Sequence, residues 1–446
     1  MFMRMRTKYR GALKHCLALR RLIARLGVWR FARMLWLFHR GLVRIFTVLE
    51  FGRFVSGAGN KGQGIPALAA VSDRKGLLVA VRQEFTRRRE TTYVHVESRA
   101  LFFGATANNE REFYFLSAQA AHVGLEYSRA VNLSFAEKQQ CLESQEDTTC
   151  KLILFGIVKG FSHRLTCHSV SADAVLSYCR YFYRFFRFFL QESKRLPLIA
   201  VVANDHSAST VAFSMVMKLF NVPRIYLQHA EVSPRFPALD FEYSILRNNH
   251  SAQVYKHVGH SRGQVYVVGR HRPTAEFTRL FGTVDGRVTV VVYLTAVFLP
   301  GPLLAVVEAL AQNPDVLNVQ VKLHPRTSPE LREAISSVQL VTQMPESEHI
   351  AIVGNSSVTI ELLAAGIKVF QLFSLDDVGV DYYGFAAKGL TPEVSFSDLE
   401  SNFWRQPFYT QAWRSTMADY DPALAPSDDD LQPFLRDLVA YLGAVQ

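Results

Sequence analysis

Apolar runs of strand length alternate with segments of helical period from about residue 67 onward. GLLVAVRQ (76–83) and TYVHVES (92–98) read as strands. REFYFLSAQAAHVGLEYSRA (111–130) begins strand-like and turns helical, and the polar section 131–150 reads as a loop or irregular helix. The pattern then sharpens. PLIAVVAND (197–205) is an apolar run that breaks at Asn204-Asp205, HSASTVAFSMVMKLF (206–220) has helical period with Ser207 or Ser209 as cap, and VPRIYLQHA (222–230) returns to strand. A strand–helix–strand unit of this kind builds a parallel sheet. EYSILRN (242–248) and QVYVVGR (264–270) add two more strands.

Residues 271–286 are polar and turn-rich, and a second series follows them. RVTVVVYLT (287–295), VLNVQVKLH (316–324), VQLVTQ (338–343), HIAIVGNSS (349–357) and KVFQLF (368–373) read as strands. LLAVVEALAQN (303–313), SPELREAISS (328–337) and VTIELLAAG (358–366) read as helices, the last closed by Gly366. SDDDLQPFLRDLVAYLG (427–443) reads as a capped closing helix, with Asp428, Asp429 and Asp430 as its N-terminal acids. The expectation is an α/β protein with two doubly wound, Rossmann-like domains. Their boundaries fall at 67–280 and 281–446, preceded by a helical arm at 1–66.

Charge changes the picture in one place. The net charge is +11, and residues 1–50 hold twelve Lys or Arg against the single acid Glu50, leaving 38 bases and 38 acids in the rest. The basic balance therefore belongs to the arm, and a body that is neutral overall argues against a nucleic-acid enzyme with a basic groove. Leu13, Leu17, Leu22, Leu26, Trp29, Met34, Leu35, Trp36, Leu37, Phe38, Leu42, Ile45 and Phe46 give the arm helical period, with bases interrupting them too often for a membrane-spanning helix. Three readings stand: a helix lying on an anionic membrane surface, a helical cap on the body, and a nucleic-acid tail. CRYFYRFFRFFLQESKR (179–195) is a second cationic aromatic stretch, with Arg180, Arg184 and Arg187 on one helical face; it reads as a buried helix with an arginine edge. The five cysteines (Cys16, Cys141, Cys150, Cys167, Cys179) show no Cys-x-x-Cys spacing, which points to reduced thiols in a cytosolic protein.

In open parallel sheets ligands collect beyond the carboxyl ends of strands. In the first domain these ends carry Asn204, Asp205, His206, Gln228, His229 and Glu231; in the second they carry Thr295, then Lys322, His324 and Arg326 around Pro325, then Asn355, Ser356 and Ser357, with Glu361 a turn further on. Three potential cations at one strand end, next to paired hydroxyls at a helix start, suit an anion such as a phosphate.

HPR (324–326) followed by NSSVTIE (355–361) resembles the His-Pro and Ser-Ser motifs of bacterial capsule glycosyltransferases of the GT-B type, among them polysialyltransferases and capsule Kdo transferases, and of the related CDP-glycerol glycerophosphotransferases. YLQHAEVSPRF (226–236) is similar to the Gln-His-Gly segment of such enzymes, with Ala230 where glycine is usual. The resemblance covers roughly residues 197–385. It implies a GT-B-like pair of domains facing a cleft and a glycosyltransferase acting from the inner face of the bacterial cytoplasmic membrane. The donor would be a nucleotide-sugar, cytidine-linked by analogy, and the acceptor a lipid-linked or growing surface glycan. Inversion at the sugar, no metal and no further cofactor are also implied. His324, Arg326, Ser356 and Ser357 would hold the donor phosphates, with Lys322, Asn355, Glu361 and Thr295 on the nucleotide or sugar side. His229 and Asp205 are the candidate bases, with Asn204, His206, Gln228 and Glu231 on the acceptor side. A CDP-polyol phosphotransferase, a UDP-sugar 2-epimerase-like enzyme and a non-catalytic membrane-bound assembly protein are the alternatives.

Overall fold

The computed structural model describes residues 2–50, 76, 78–79, 81–83, 100–104, 106–121, 127–129, 145–161, 169–191, 196–234, 236–269, 275–295, 298–325, 327–376, 381–420 and 431–445. The expected strand 92–98, Arg326 and the acids Asp428–Asp430 lie outside these residues, as do Ser427, Cys141 and Cys167.

The chain opens with α1 (Phe2–Leu26) and α2 (Val28–Glu50), separated by Gly27 at φ 78°. A left-handed residue ends the first helix there, a conformation that glycine adopts without a Cβ penalty. The first sheet follows with β1 (Ala100–Phe103), α3 (Ala107–Ala121), β2 (Tyr127–Arg129), α4 (Gln145–Phe161), α5 (Ser169–Gln191), β3 (Ile199–Val202), α6 (Ala208–Leu219), β4 (Arg224–Leu227), β5 (Tyr243–Leu246), α7 (Asn249–Val258) and β6 (Gln264–Val267). The second sheet has β7 (Val288–Tyr293), α8 (Pro300–Gln312), β8 (Val316–Lys322), α9 (Pro329–Ala334), β9 (Leu340–Val341), β10 (Ile350–Val353), α10 (Val358–Ala364) and β11 (Val369–Gln371). α11 (Trp413–Tyr420) and α12 (Gln432–Val445) complete the described chain.

Among the described residues both sheets are parallel throughout. Their strand orders are β2-β1-β3-β4-β5-β6 and β11-β10-β7-β8-β9. Each order reverses once, between β1 and β3 in the first sheet and between β7 and β10 in the second. The architecture is thus the expected pair of doubly wound α/β units. Alternation along the strands explains the layers, because successive side chains point to opposite faces and both faces are covered. Leu101, Phe103, Ala200, Val202 and Tyr226 join the core under α5 and α6, whereas Ala100, Phe102, Ile199, Val201 and Ile225 join the core on the other face. In the second sheet Val290, Val292 and Ile352 face α8, while Val291, Tyr293 and Val353 face α10 and α11.

Three local expectations change. The described residues of 76–83 are helical, not a strand. The segment read as strand-like from 111 is instead inside α3, and the strand before it is the short ALFF of β1. The closing helix α12 does not complete the second domain: Phe434, Leu435, Leu438 and Leu442 pack against Phe102, Phe113, Ile199 and Ile225 of the first. A short amphipathic helix carries no mark of which sheet will bury its apolar stripe.

The arm is part of the body. Leu22, Leu26, Met34, Leu37, Phe38, Leu42 and Ile45 are buried in the same core as α5 and α6. Phe38 lies 5.3 Å from the Tyr178 ring and 5.0 Å from Phe182, and the Tyr178 hydroxyl donates to the Phe38 carbonyl at 3.0 Å. The aromatic stretch 179–195 falls largely within α5, where Phe182, Phe185, Phe186, Phe188 and Phe189 are buried and Arg187 pairs with Asp147 at 3.3 Å. Cys16, Cys150 and Cys179 are free thiols. No described helix is long and apolar enough to cross a membrane.

Candidate functional site

The second sheet offers its rim at the strand-order reversal. β7 pairs with β8 through Tyr293↔Lys322 and with β10 through Tyr293↔Val353. Three chain ends therefore leave the sheet side by side: Leu294-Thr295 in the middle, Leu323-His324 on one flank and Gly354-Asn355 on the other. With strands about 4.8 Å apart, the two flanks start about 10 Å from each other at the backbone. His324 is partly exposed and Thr295 is buried. Lys322 turns its ammonium to the Leu323 carbonyl at 2.9 Å, and burial lowers its pKa.

Past β10 the chain is braced from behind. Asn355 is fully buried; its backbone N–H and side-chain amide donate to the Asp376 carboxylate at 2.8 and 3.1 Å, and its side-chain carbonyl accepts from the Tyr382 N–H at 2.7 Å. All of its polar atoms named here are committed within the protein, which makes Asn355 a brace for the turn. Ser356 and Ser357 ride on that brace, both partly exposed. Ser356 Oγ accepts weakly from the Val358 N–H at 3.4 Å, and Ser357 makes no capping bond with its side chain. The helix they open, α10, has only seven residues, so its dipole is small and the hydroxyls matter more than the sequence pattern implied.

The first sheet's rim is dense with charge. At the end of β3, Asn204 Oδ1 accepts from the N–H groups of His206 and Ser207 at 2.9 and 2.7 Å. Asn204 thus folds the turn that leads into α6, whose N-cap residue Ser207 makes no capping bond with its side chain and instead donates its hydroxyl to Thr210 Oγ1 at 2.8 Å. Asp205 is buried and its carboxylate meets His206 Nδ1 at 2.9 Å, the Tyr255 hydroxyl at 3.1 Å and Arg44 at 3.3 Å. Burial alone would raise its pKa; His206 and Arg44 outweigh that and hold it below the ordinary carboxylate value. Asp205 therefore orients the His206 ring, which stays partly exposed and stacks on Phe236 at 5.0 Å.

At the end of β4, Gln228 is fully buried and spent on structure. It accepts from the Arg247 N–H at 2.9 Å and donates to the Ala230 carbonyl and the Ser251 hydroxyl at 2.9 and 2.8 Å. His229 lies 6.4 Å from the His206 ring, and its buried Nδ1 has no hydrogen-bond partner. Burial, followed by the charges of His206 and Arg247, lowers its pKa to about 4, so the imidazole is neutral at pH 7. Glu231 is buried with Asn248 donating to both carboxylate oxygens at 2.9 and 3.1 Å. Burial raises its pKa to about 7 against the opposing pull of Asn248 and Arg247.

The two rims meet. Arg111 of α3 reaches Glu361 of α10 at 3.4 Å, and Lys388 of the second unit lies 2.7 Å from His250 of α7. The charge of Glu361 is felt at both Glu231 and Arg247. His229, Glu231 and Glu361 are thereby gathered on one side of the molecule at the junction, with Ser356 and Ser357 at the start of the helix that carries Glu361. Arg326 lies outside the described residues. Several contributors escaped the sequence. Arg247, which pairs with Glu112 at 2.5 Å beneath the rim, directly follows β5 and was open to the same strand-end rule. Glu112 and Arg111 sit in the segment read as a strand. Arg44 comes from an arm that sequence alone gave no reason to place in the site.

No family model matches the chain, and neither does any curated protein. Among solved structures it is similar to CalG4, the calicheamicin glycosyltransferase, at 12% identity and a TM-score of 0.47 over 79% of this chain and 100% of that one. It is also similar to UDP-GlcNAc 2-epimerase from Neisseria meningitidis bound to UDP-GlcNAc (12%, TM-score 0.40, 77% and 98% covered) and to Acinetobacter baumannii MurG (10%, TM-score 0.39, 76% and 98% covered). At this level of likeness the substrates of those proteins do not transfer to this chain.

Proposed function

We propose that the chain is a glycosyltransferase that moves a sugar from a nucleotide-activated donor to a lipid-linked or growing cell-surface glycan, with inversion and without a metal, at the cytoplasmic face of a membrane. The observation that carries this reading is the Arg111–Glu361 contact, because it joins the carboxyl-end rims of two parallel sheets, the position where such sheets take ligands. The second rim would hold the donor. His324, Ser356 and Ser357 supply an imidazole and two hydroxyls for its phosphates, with Arg326 as a further cation and Thr295 between the flanks. The resemblance of the His-Pro and Ser-Ser motifs favours a cytidine-linked donor.

The first rim would activate the acceptor. His229 is a neutral, partly exposed imidazole at this rim, able to take a hydroxyl proton as the sugar's anomeric carbon is attacked. The leaving nucleotide phosphate gains negative charge as the old glycosidic bond breaks, and His324 with the serine hydroxyls stabilises it. Asp205 is a positioning residue in this scheme, acting through His206. Glu231, with a pKa near neutrality, is a second group able to exchange a proton beside the acceptor.

The test pairs binding with turnover. CMP, CDP and UDP are screened by thermal shift, since a ligand that binds the native state raises its melting point. His324→Ala is expected to weaken nucleotide binding about 10–100-fold, the loss of a charge-assisted contact. His229→Ala is expected to leave that binding intact and lower transfer about 10²–10⁴-fold. Unchanged activity in both variants overturns the assignment.

A further inference from the structure

Of the three readings open to the arm, the fold realises the cap for its apolar stripe, which is buried in the core with α5 and α6. The outward side of the arm is a different surface. On α1, residues 13, 17, 20 and 24 follow helical spacing and form one exposed face, on which Leu13 is 62% and Leu17 47% exposed. At the Gly27 corner the chain turns, and Val28 and Trp29 project with 68% and 89% exposure. Trp29 is the most exposed of the large apolar side chains described, and no described residue stacks on it. Arg21, Arg25 and Arg30 are exposed around the same corner, and the segment from residue 2 to 49 contains no acid.

We infer that the outward face of α1 and the Gly27 corner form a docking surface for an anionic lipid bilayer, with Trp29 and Val28 entering the interface and Arg21, Arg25 and Arg30 meeting lipid phosphates. Each part answers to a different layer of the membrane. An indole combines an apolar ring with a polar N–H and settles at headgroup level. Leucines beside it reach the acyl boundary, and arginines without neighbouring acids are drawn to the negative leaflet. A nucleic acid would use the arginines and stack on Trp29 but leave Leu13, Leu17 and Val28 without partners. The surface deepens the membrane-face part of the proposed function and is independent of its catalytic part, since it requires neither donor nor acceptor.

The experiment uses the full chain with vesicles of phosphatidylcholine alone or mixed with phosphatidylglycerol, read by flotation and by tryptophan emission. Trp404 and Trp413 are buried, so a vesicle-induced change reports the arm. The wild type is expected to float with the anionic vesicles, less so at high salt, with a blue shift that Trp29→Phe largely removes. Val28→Ser with Trp29→Ser is expected to lower partitioning about tenfold or more with an unchanged melting temperature, because both side chains face solvent. Arg21→Gln with Arg25→Gln is expected to lower it on anionic vesicles only. The inference is overturned if the wild type stays in solution, if neutral and anionic vesicles bind equally, if the serine variant floats like the wild type, or if a single-stranded RNA homopolymer displaces the vesicles.

Discussion

Arg44, near the end of α2, donates its Nε to the Asp205 backbone carbonyl at 2.8 Å and brings Nη2 to the same residue's carboxylate at 3.3 Å. Its Nη1 donates to the Ala238 carbonyl at 2.7 Å. One guanidinium from the arm thus ties together the end of β3 and the loop before β5. Arg44→Ala is expected to destabilise the protein by about 3 kcal/mol, the low end for stripping a partner from a buried charge, because His206 and Tyr255 still hold Asp205. Arg44→Lys should recover part of that loss. Urea denaturation of the three proteins decides: equal midpoints for wild type and the alanine variant would mean that the arm packs on the site without supporting it.

How much of this was legible beforehand divides by the range of the interaction. The strand–helix alternation from 197 to 371 is local, and the runs ending at Val202, Leu227, Leu246, Tyr293, Lys322, Val353 and Gln371 became strands where the pattern put them. Candidate positions His229, His324, Ser356 and Ser357 follow from the same rule about strand ends. Whether a strand-end polar residue is available or spent does not follow, because that depends on partners far away in sequence. Gln228 and Asn355 look as suitable as His229 in the sequence, yet Arg247, Ser251, Asp376 and Tyr382 consume them. The destination of an apolar stripe is equally non-local, which is why the arm and α12 both took a surface that their periodicity leaves open.

Gly354 is a position at the candidate site where a Cβ has no room. A methyl built there would lie 2.4 Å from Asp376 Oδ2, the oxygen that accepts from the Asn355 N–H. Gly354→Ala is therefore expected to displace Asp376, loosen the Asn355 brace and cost about 1–3 kcal/mol. The same displacement shifts Ser356 and Ser357, so nucleotide affinity should fall along with stability. Adding Asp376→Ala relieves the clash but removes the brace. The double variant should then be less stable than wild type by less than the two single losses added together, which a double-mutant cycle measures. Strict additivity would mean that the two residues do not meet.

The Arg111–Glu361 contact is half exposed on the arginine side, and ion pairs in such settings are worth little in isolation. Arg111→Ala is expected to change global stability by less than about 0.5 kcal/mol. Its effect should fall on the relation between the two units instead. If the contact holds the rims together, small-angle scattering of the variant should show a larger radius of gyration, while its melting curve stays where it was. An unchanged radius would assign the junction to Lys388–His250 and the packing of Tyr420 on His250, whose rings lie 4.4 Å apart.

Two groups on the first rim titrate in opposite senses, and the signs separate them. His229 has a folded pKa of about 4 against an ordinary 6.5, so its contribution to stability is present above pH 6.5 and is lost as pH falls toward 4. His250, lowered to about 4 by burial and then by Lys388, acts in the same direction. Glu231 has a folded pKa of about 7 against an ordinary 4.5, so its contribution is present below pH 4.5 and is lost as pH rises through 7. Each difference amounts to at most roughly 3–4 kcal/mol at 1.36 kcal/mol per pKa unit. Glu231→Gln keeps the shape and the acceptor for Asn248 while removing the charge, so it should stabilise the protein at pH 8 and leave it nearly unchanged at pH 5. His229→Asn should do the reverse, narrowing the acid-side loss between pH 6.5 and 4. Melting temperatures recorded across that range test both at once. A glutamine variant with the same advantage at both pH values would mean that Glu231 is ionised throughout, and its part in proton exchange at the junction would fall with it.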